Sequence, residues 1–176
     1  MISPDHIRLM AVYNKWQNES LLGAADGLSE MERRLDRGAF FRSIHETLNH
    51  ILWADQIWMS RLAGTPAPKA PGIPASVSQI DGWDALKAAR VDFDRQMIDW
   101  SRTVSPADLE GDLSWYSGAA KREISKARWV LITHMFNHGT HHRGQVHAML
   151  TAAGAKPDDT DIPFMPQAYS DMLKQA

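Results

Sequence analysis

The chain has 176 residues, 44% of them hydrophobic, and a formal net charge of -2, which suits one soluble domain with a sizeable core. That balance excludes the broad basic surface of a nucleic-acid binder, and pairs such as Arg33-Arg34 and Lys121-Arg122 read as solvated surface. There is no cysteine, so disulfides and a thiolate nucleophile are excluded, and any metal must take nitrogen and oxygen ligands.

The N-terminus carries Asp5 early and has no apolar h-region, so no signal peptide is expected. No apolar run reaches the length of a membrane span, and the expected location is cytoplasmic. The first helical pattern runs from about Pro4 to Ala25, with Ser3 as cap and Pro4 in the first turn. Ser29-Glu30-Met31-Glu32 fits a capping box and predicts a short helix or turn. A second long helix is expected from about Phe40 to Ala63, with Gly64 as its left-handed stop. Its main apolar stripe is Phe40, Ile44, Leu48, Ile51, Trp58 and Leu62.

The proline-rich segment from Thr65 to Pro74 reads as a non-helical surface loop. A third helix follows from about Trp83 to Thr103, and Ser105-Pro106-Ala107-Asp108 predicts another short helical turn. Between Gly111 and Glu123 the helical pattern weakens, and Leu113-Ser114-Trp115-Tyr116 with Gly118 predicts a brief hairpin. The fourth helix runs from about Lys126 to Ala153, stopped by Gly154, and Lys156 to Met165 reads as a loop packed on the bundle. Four amphipathic helices predict an all-α four-helix bundle over residues 1–176 as one domain. The long connections permit a topology other than up-down-up-down.

Five of the eight histidines lie between His134 and His147. At about 100° per residue, Leu131, Met135, His138, His142, Val146, Met149 and Ala153 form one apolar seam. His142 sits mid-seam and His138 at its edge, whereas His134 and His141 fall toward the polar side and His147 lies well away. A single histidine in an apolar seam is ordinarily a hydrogen-bonded core residue. Two of them four residues apart stack on one helix face and can share a divalent ion.

A third ligand must come from elsewhere, and His6, His45 and His50 are the candidates. His45-Glu46-Thr47-Leu48-Asn49 misses the HExxH pattern at its last position. His50 flanks the apolar stripe of the second helix, where spacing permits it to join His138 and His142 without requiring it. A dimetal carboxylate site is not expected, since no Glu has His three residues later.

These residues match a known pattern. Asn137-His138-Gly139-Thr140-His141-His142-Arg143-Gly144-Gln145 resembles the last-helix signature of the DinB/YfiT-like metalloenzyme family. Thr47-Leu48-Asn49-His50-Ile51-Leu52-Trp53 resembles its first metal-histidine segment, and Tyr13-Asn14-Lys15-Trp16-Gln17-Asn18 is similar to its first helix. The resemblance covers about the first 150 residues. It implies a four-helix bundle, His50, His138 and His142 as a three-histidine metal site, zinc or nickel as the metal, and frequent dimerisation. It also implies, for some relatives, thiol-dependent transfer or isomerisation with a low-molecular-weight thiol.

The expected function is a metal-dependent transferase or hydrolase acting on a small molecule, with an open coordination position on the metal. The alternatives are a non-catalytic metal-binding or stress-response module, and an interaction protein whose histidines only pack. Glu46, Asn137 and Gln145 are candidates to orient the ligand rings. Arg143 is a candidate contact for an anionic substrate group, with a surface salt bridge as its other role. Asn14, Trp16 and Trp53 are candidate pocket residues.

Overall fold

The computed structural model describes residues 2–174. Four long helices form the body: α1 Pro4–Asp26, α3 Ile44–Ala63, α5 Trp83–Thr103 and α6 Arg128–Ala152. Between them lie α2 Glu30–Arg34, α4 Ile73–Ser76 and a 3-10 turn at Pro106–Leu109. The hairpin β1 Asp112–Ser117 and β2 Arg122–Ala127 precedes α6. After α6 come 3-10 turns at Ile162–Phe164 and Asp171–Lys174, flanking α7 Gln167–Ser170. The fold is all-α apart from that small antiparallel hairpin. Among the described residues, no helix is long and apolar enough to cross a membrane.

Side-chain pairs fix the helix directions. Asn14 meets Met97 while Asn18 meets Asp94, so α1 and α5 are antiparallel. His50 meets His138 while Arg128 reaches the Leu62 carbonyl, so α3 and α6 are antiparallel. Asp55 pairs with Arg90, and Leu62 shares a cavity with Trp100 and Thr103, so α3 and α5 are parallel. The long helices therefore run up, down, down, up. Each of α1 and α3 packs on both α5 and α6. Parallel neighbours require the chain to climb back along α3, about 30 Å for its 20 residues. The proline-rich connection does this, since an extended proline-rich chain gains about 3.1 Å per residue.

Local chemistry sets several boundaries. Ser3 caps α1, and Ser29 with Glu32 forms the expected capping box on α2. Gly64 ends α3 at φ 70° and Gly154 lies beyond α6 at φ 81°. The second long helix starts at Ile44 rather than Phe40, because Ser43 caps it by accepting from the Glu46 N–H. Phe40 is 76% exposed and leaves the expected core stripe. The segment expected to be free of helix contains the start of α4, where Gly72 precedes the turn and Pro74 sits within its first two positions. The hairpin is longer than expected and takes Lys126 and Ala127 from α6. The tail holds short helical turns and is tied to α1 by Tyr13 donating to the Thr160 carbonyl and Tyr169 donating to Glu19.

A polar layer crosses the otherwise apolar core. Arg90 is 3% exposed and donates to both Asp55 and Asp94 at 2.7 Å. Asn18 donates to Asp94 at 2.9 Å, which links α1 to the same group. Removing one partner of a buried ion pair leaves uncompensated charge, at a cost of about 3–5 kcal/mol. Arg90→Leu is therefore expected to lower unfolding free energy by about that amount in urea denaturation; a change within 0.5 kcal/mol, on the order of a surface substitution, would contradict the role given to Arg90.

Candidate metal centre

His50, His138 and His142 come together between α3 and α6. Each offers one ring nitrogen, and these atoms all lie within 4.8 Å of one another. His50 and His142 are buried at 3% and 6% exposure, and His138 is half-buried. The His50 and His138 Nε2 atoms are 3.4 Å apart. Tetrahedral metal–imidazole bonds of about 2.0–2.1 Å give nitrogen–nitrogen edges of about 3.3–3.4 Å. The donor set therefore fits a metal ion along this edge, with the third nitrogen set within the wider 4.8 Å limit.

Neighbouring groups fix which nitrogens face inward. Ser76 Oγ donates to the Ile73 carbonyl at 2.7 Å, so toward His50 Nδ1, 2.8 Å away, it acts as acceptor. His50 therefore carries its proton on Nδ1 and turns a bare Nε2 inward. His142 Nδ1 lies 2.9 Å from Gln145 Oε1, which only accepts, so its Nε2 is likewise bare. Gln145 uses its amide nitrogen on His141 at 3.2 Å. Burial, with added repulsion from His138 and His142, pushes the His50 pKa down to about 3. Burial, with His142, His134 and His141, pushes His138 down to about 4. Burial and His141 lower His142 against the opposing pull of Gln145. At neutral pH all three rings are neutral, the form that binds metal.

The fold places Ser76 deliberately. Asn49 accepts from the Ile80 N–H and donates to the Ile80 carbonyl, both at 3.0 Å. His45 Nε2 sits 3.2 Å from the same carbonyl. These contacts pin the crossover against α3, with α4 and Ser76 over His50. Asn49, which breaks the HExxH pattern, and His45 thus serve the crossover, and His6 is exposed beside the tail. His50 is the candidate the fold brings to the pair.

Other candidates are placed elsewhere. Gln145 orients His142, whereas Glu46 bonds the cap residue Ser43 and Asn137 is exposed. His134 and His141 are exposed, as their wheel positions imply. Arg143 is buried and turns to α1, where it bonds Asn14, and it also bonds Thr140 one turn back on α6. Gly139 makes room for it, since a Cβ there would lie 3.0 Å from Arg143 Nη1. Trp16 lies in the core beside Tyr13, while Trp53 is stacked 5.9 Å from His50.

Two contributors escape sequence reasoning. Ser76 lies 26 residues from His50, and no spacing rule links them. Phe41 stacks on His50 at 3.8 Å and lies 5.2 Å from His142. A tight turn presents it, with Gly38 at φ 75° and Arg42 at φ 62°. The strained Arg42 backbone is held by Arg42 bonding Asp36 and by its N–H reaching the Ala39 carbonyl. The helix expected over these residues would have hidden this turn.

A four-helix bundle whose second and fourth long helices bring together three histidines able to hold a metal defines the class of protein. The DinB family model matches residues 3–172, and the chain belongs to the DinB family. The match extends past residue 150 into the tail. The chain is 24% identical over 159 residues to Protein DinB of Bacillus subtilis strain 168, covering 85% of this chain and 87% of that one. It also resembles the crystal structure of a DinB-like protein from Bacillus cereus ATCC 10987, with TM-score 0.59 and 14% identity. That likeness covers 82% of this chain and 90% of the other, and at such identity it is one of fold.

The lowered histidine pKa values have a consequence for stability. Without metal, the unfolded chain binds protons on these rings at about pH 6.5, while folded His50 and His138 resist until about 3 and 4. Between those limits the unfolded state holds more protons, so stability rises with pH. Metal-stripped protein is expected to show a lower urea midpoint at pH 5 than at pH 7, with the gap narrowed in His50→Gln. A midpoint that is flat or falls over that range would contradict the burial of neutral rings.

Proposed function

We propose that this single-domain DinB protein is a metal-dependent enzyme whose His50, His138 and His142 hold one divalent ion, zinc or nickel. It acts on a small molecule as a thiol-dependent transferase or a hydrolase. The observation that carries the proposal is the convergence of one ring nitrogen from each of three neutral histidines, with Nε2 of His50 and His138 3.4 Å apart. Three protein ligands leave a coordination position open, where a bound ion supplies Lewis acidity.

The chain's own residues prepare that position. Ser76 and Gln145 hold the Nδ1 protons of His50 and His142, so both Nε2 atoms stay aimed inward. Phe41 covers His50 and His142 and keeps water from that face. His138 is the half-buried member, so substrate approaches from its side. A cysteine-free chain has no thiol of its own, which suits a low-molecular-weight thiol supplied from outside. A homodimer, from the family resemblance, and a cytoplasmic location, from the lack of an apolar h-region or a run of membrane-span length, complete the proposal.

Elemental analysis of protein purified without chelator is expected to find about one equivalent of zinc or nickel per chain, and His142→Ala is expected to lose it. A metal-free protein that takes up neither ion on addition would overturn the proposal. Ser76→Ala is expected to keep the stoichiometry but weaken metal affinity about 10–100-fold in a competition titration. Unchanged affinity would remove Ser76 from its orienting role.

A further inference from the structure

Arg61, in the last turn of α3, has no part in the histidine group. Its guanidinium carbon lies 4.8 Å from the Trp58 ring and 5.5 Å from the Trp115 ring. The two indoles meet edge to face at 5.5 Å. Stacking of this kind fixes the guanidinium plane and leaves its N–H fork free for an anion. Among the described residues, nothing accepts a hydrogen bond from it. Every other arginine has an acceptor except Arg122, which is exposed at the start of β2. Arg61 is half-buried, and burial lowers its pKa, yet a guanidinium stays charged in water's pH range. A partly desolvated cation without a counter-charge is stabilised by any anion that reaches it.

The aromatic wall continues toward the metal centre. Trp58 lies 5.2 Å from His134, and His134 lies 5.6 Å from His138, the half-buried member of the trio. Arg61 follows His50 on the same helix by eleven residues, about 16 Å along the axis. A flat group lying on Trp58 would thus have a cation at one end and His134, the neighbour of His138, at the other.

We propose that Trp58, Trp115 and Arg61 form a binding site for small ligands with a flat aromatic body and a carboxylate. The carboxylate accepts from the Arg61 fork, the body lies against Trp58, and the far end points along α3 toward His138. In that last respect the proposal rests on the metal-dependent function, because it names the substrate class of that centre.

The test is a ligand-observed NMR titration with cinnamate, on zinc-loaded and on metal-stripped protein. Cinnamate is expected to bind both forms, and Arg61→Gln to weaken it at least about tenfold in both. Trp58→Ala is expected to weaken it too, and cinnamylamine, with the same body and the opposite charge, to bind far more weakly to wild type. Binding that needs zinc and ignores Arg61→Gln would put the carboxylate on the metal, overturning this site while leaving the metal function intact. Arg61-dependent binding by a protein that takes up no zinc would support the site and sink the metal function. Equal affinity for cinnamate and cinnamylamine, or no binding of cinnamate, would overturn the proposal.

Discussion

His50 Nε2 faces His138 Nε2 at 3.4 Å, and with the His50 proton held on Nδ1 its Nε2 needs a donor or a cation opposite it. Ser76 accepts the Nδ1 proton of His50, and the low pKa of both rings disfavours an extra proton. A neutral His138 with its proton on Nε2 can donate to His50, which serves that one pair of nitrogens and leaves His142 out. A divalent cation satisfies all three rings at once, in the neutral form they keep at neutral pH. The burial of polar rings in a seam that would otherwise hold leucine is costly without such a partner.

The same constraint gives meaning to the topology. Parallel packing of α3 and α5 requires a long crossover, and that crossover carries Ser76 to His50. Asn49 and His45, one turn apart on α3, clamp the crossover through Ile80. Arg90, Asp55, Asp94 and Asn18 tie α1, α3 and α5 together below the surface. Arg143 and Asn14 tie α6 to α1. The helices that carry the ligands are therefore held by buried polar contacts, which depend on direction in a way that apolar packing does not. The DinB family match spans these elements, from residue 3 to residue 172.

Much of this was legible in the residues. Helical periodicity located the four long helices, and seam spacing singled out His138 and His142, because both signals are local to one helix. The choice of His50 over His45 and His6 needed the resemblance, since α3 and α6 meet only in three dimensions. Ser76 was hidden for the same reason, lying in a connection read as irregular loop. The Phe41 turn was hidden by its composition, because Phe40 and Ile44 extend the helical pattern past the Ser43 cap. Arg143 was legible as special but misplaced: a residue beside His142 on the sequence faces a different helix in the bundle, 100° around the axis.

The most direct measurement is X-ray absorption at the zinc edge on protein loaded with one equivalent of zinc. The proposed centre predicts a first shell with three imidazole nitrogens at about 2.0–2.1 Å, falling to two in His50→Ala. A shell dominated by oxygen, or one unaltered by His50→Ala, would contradict it.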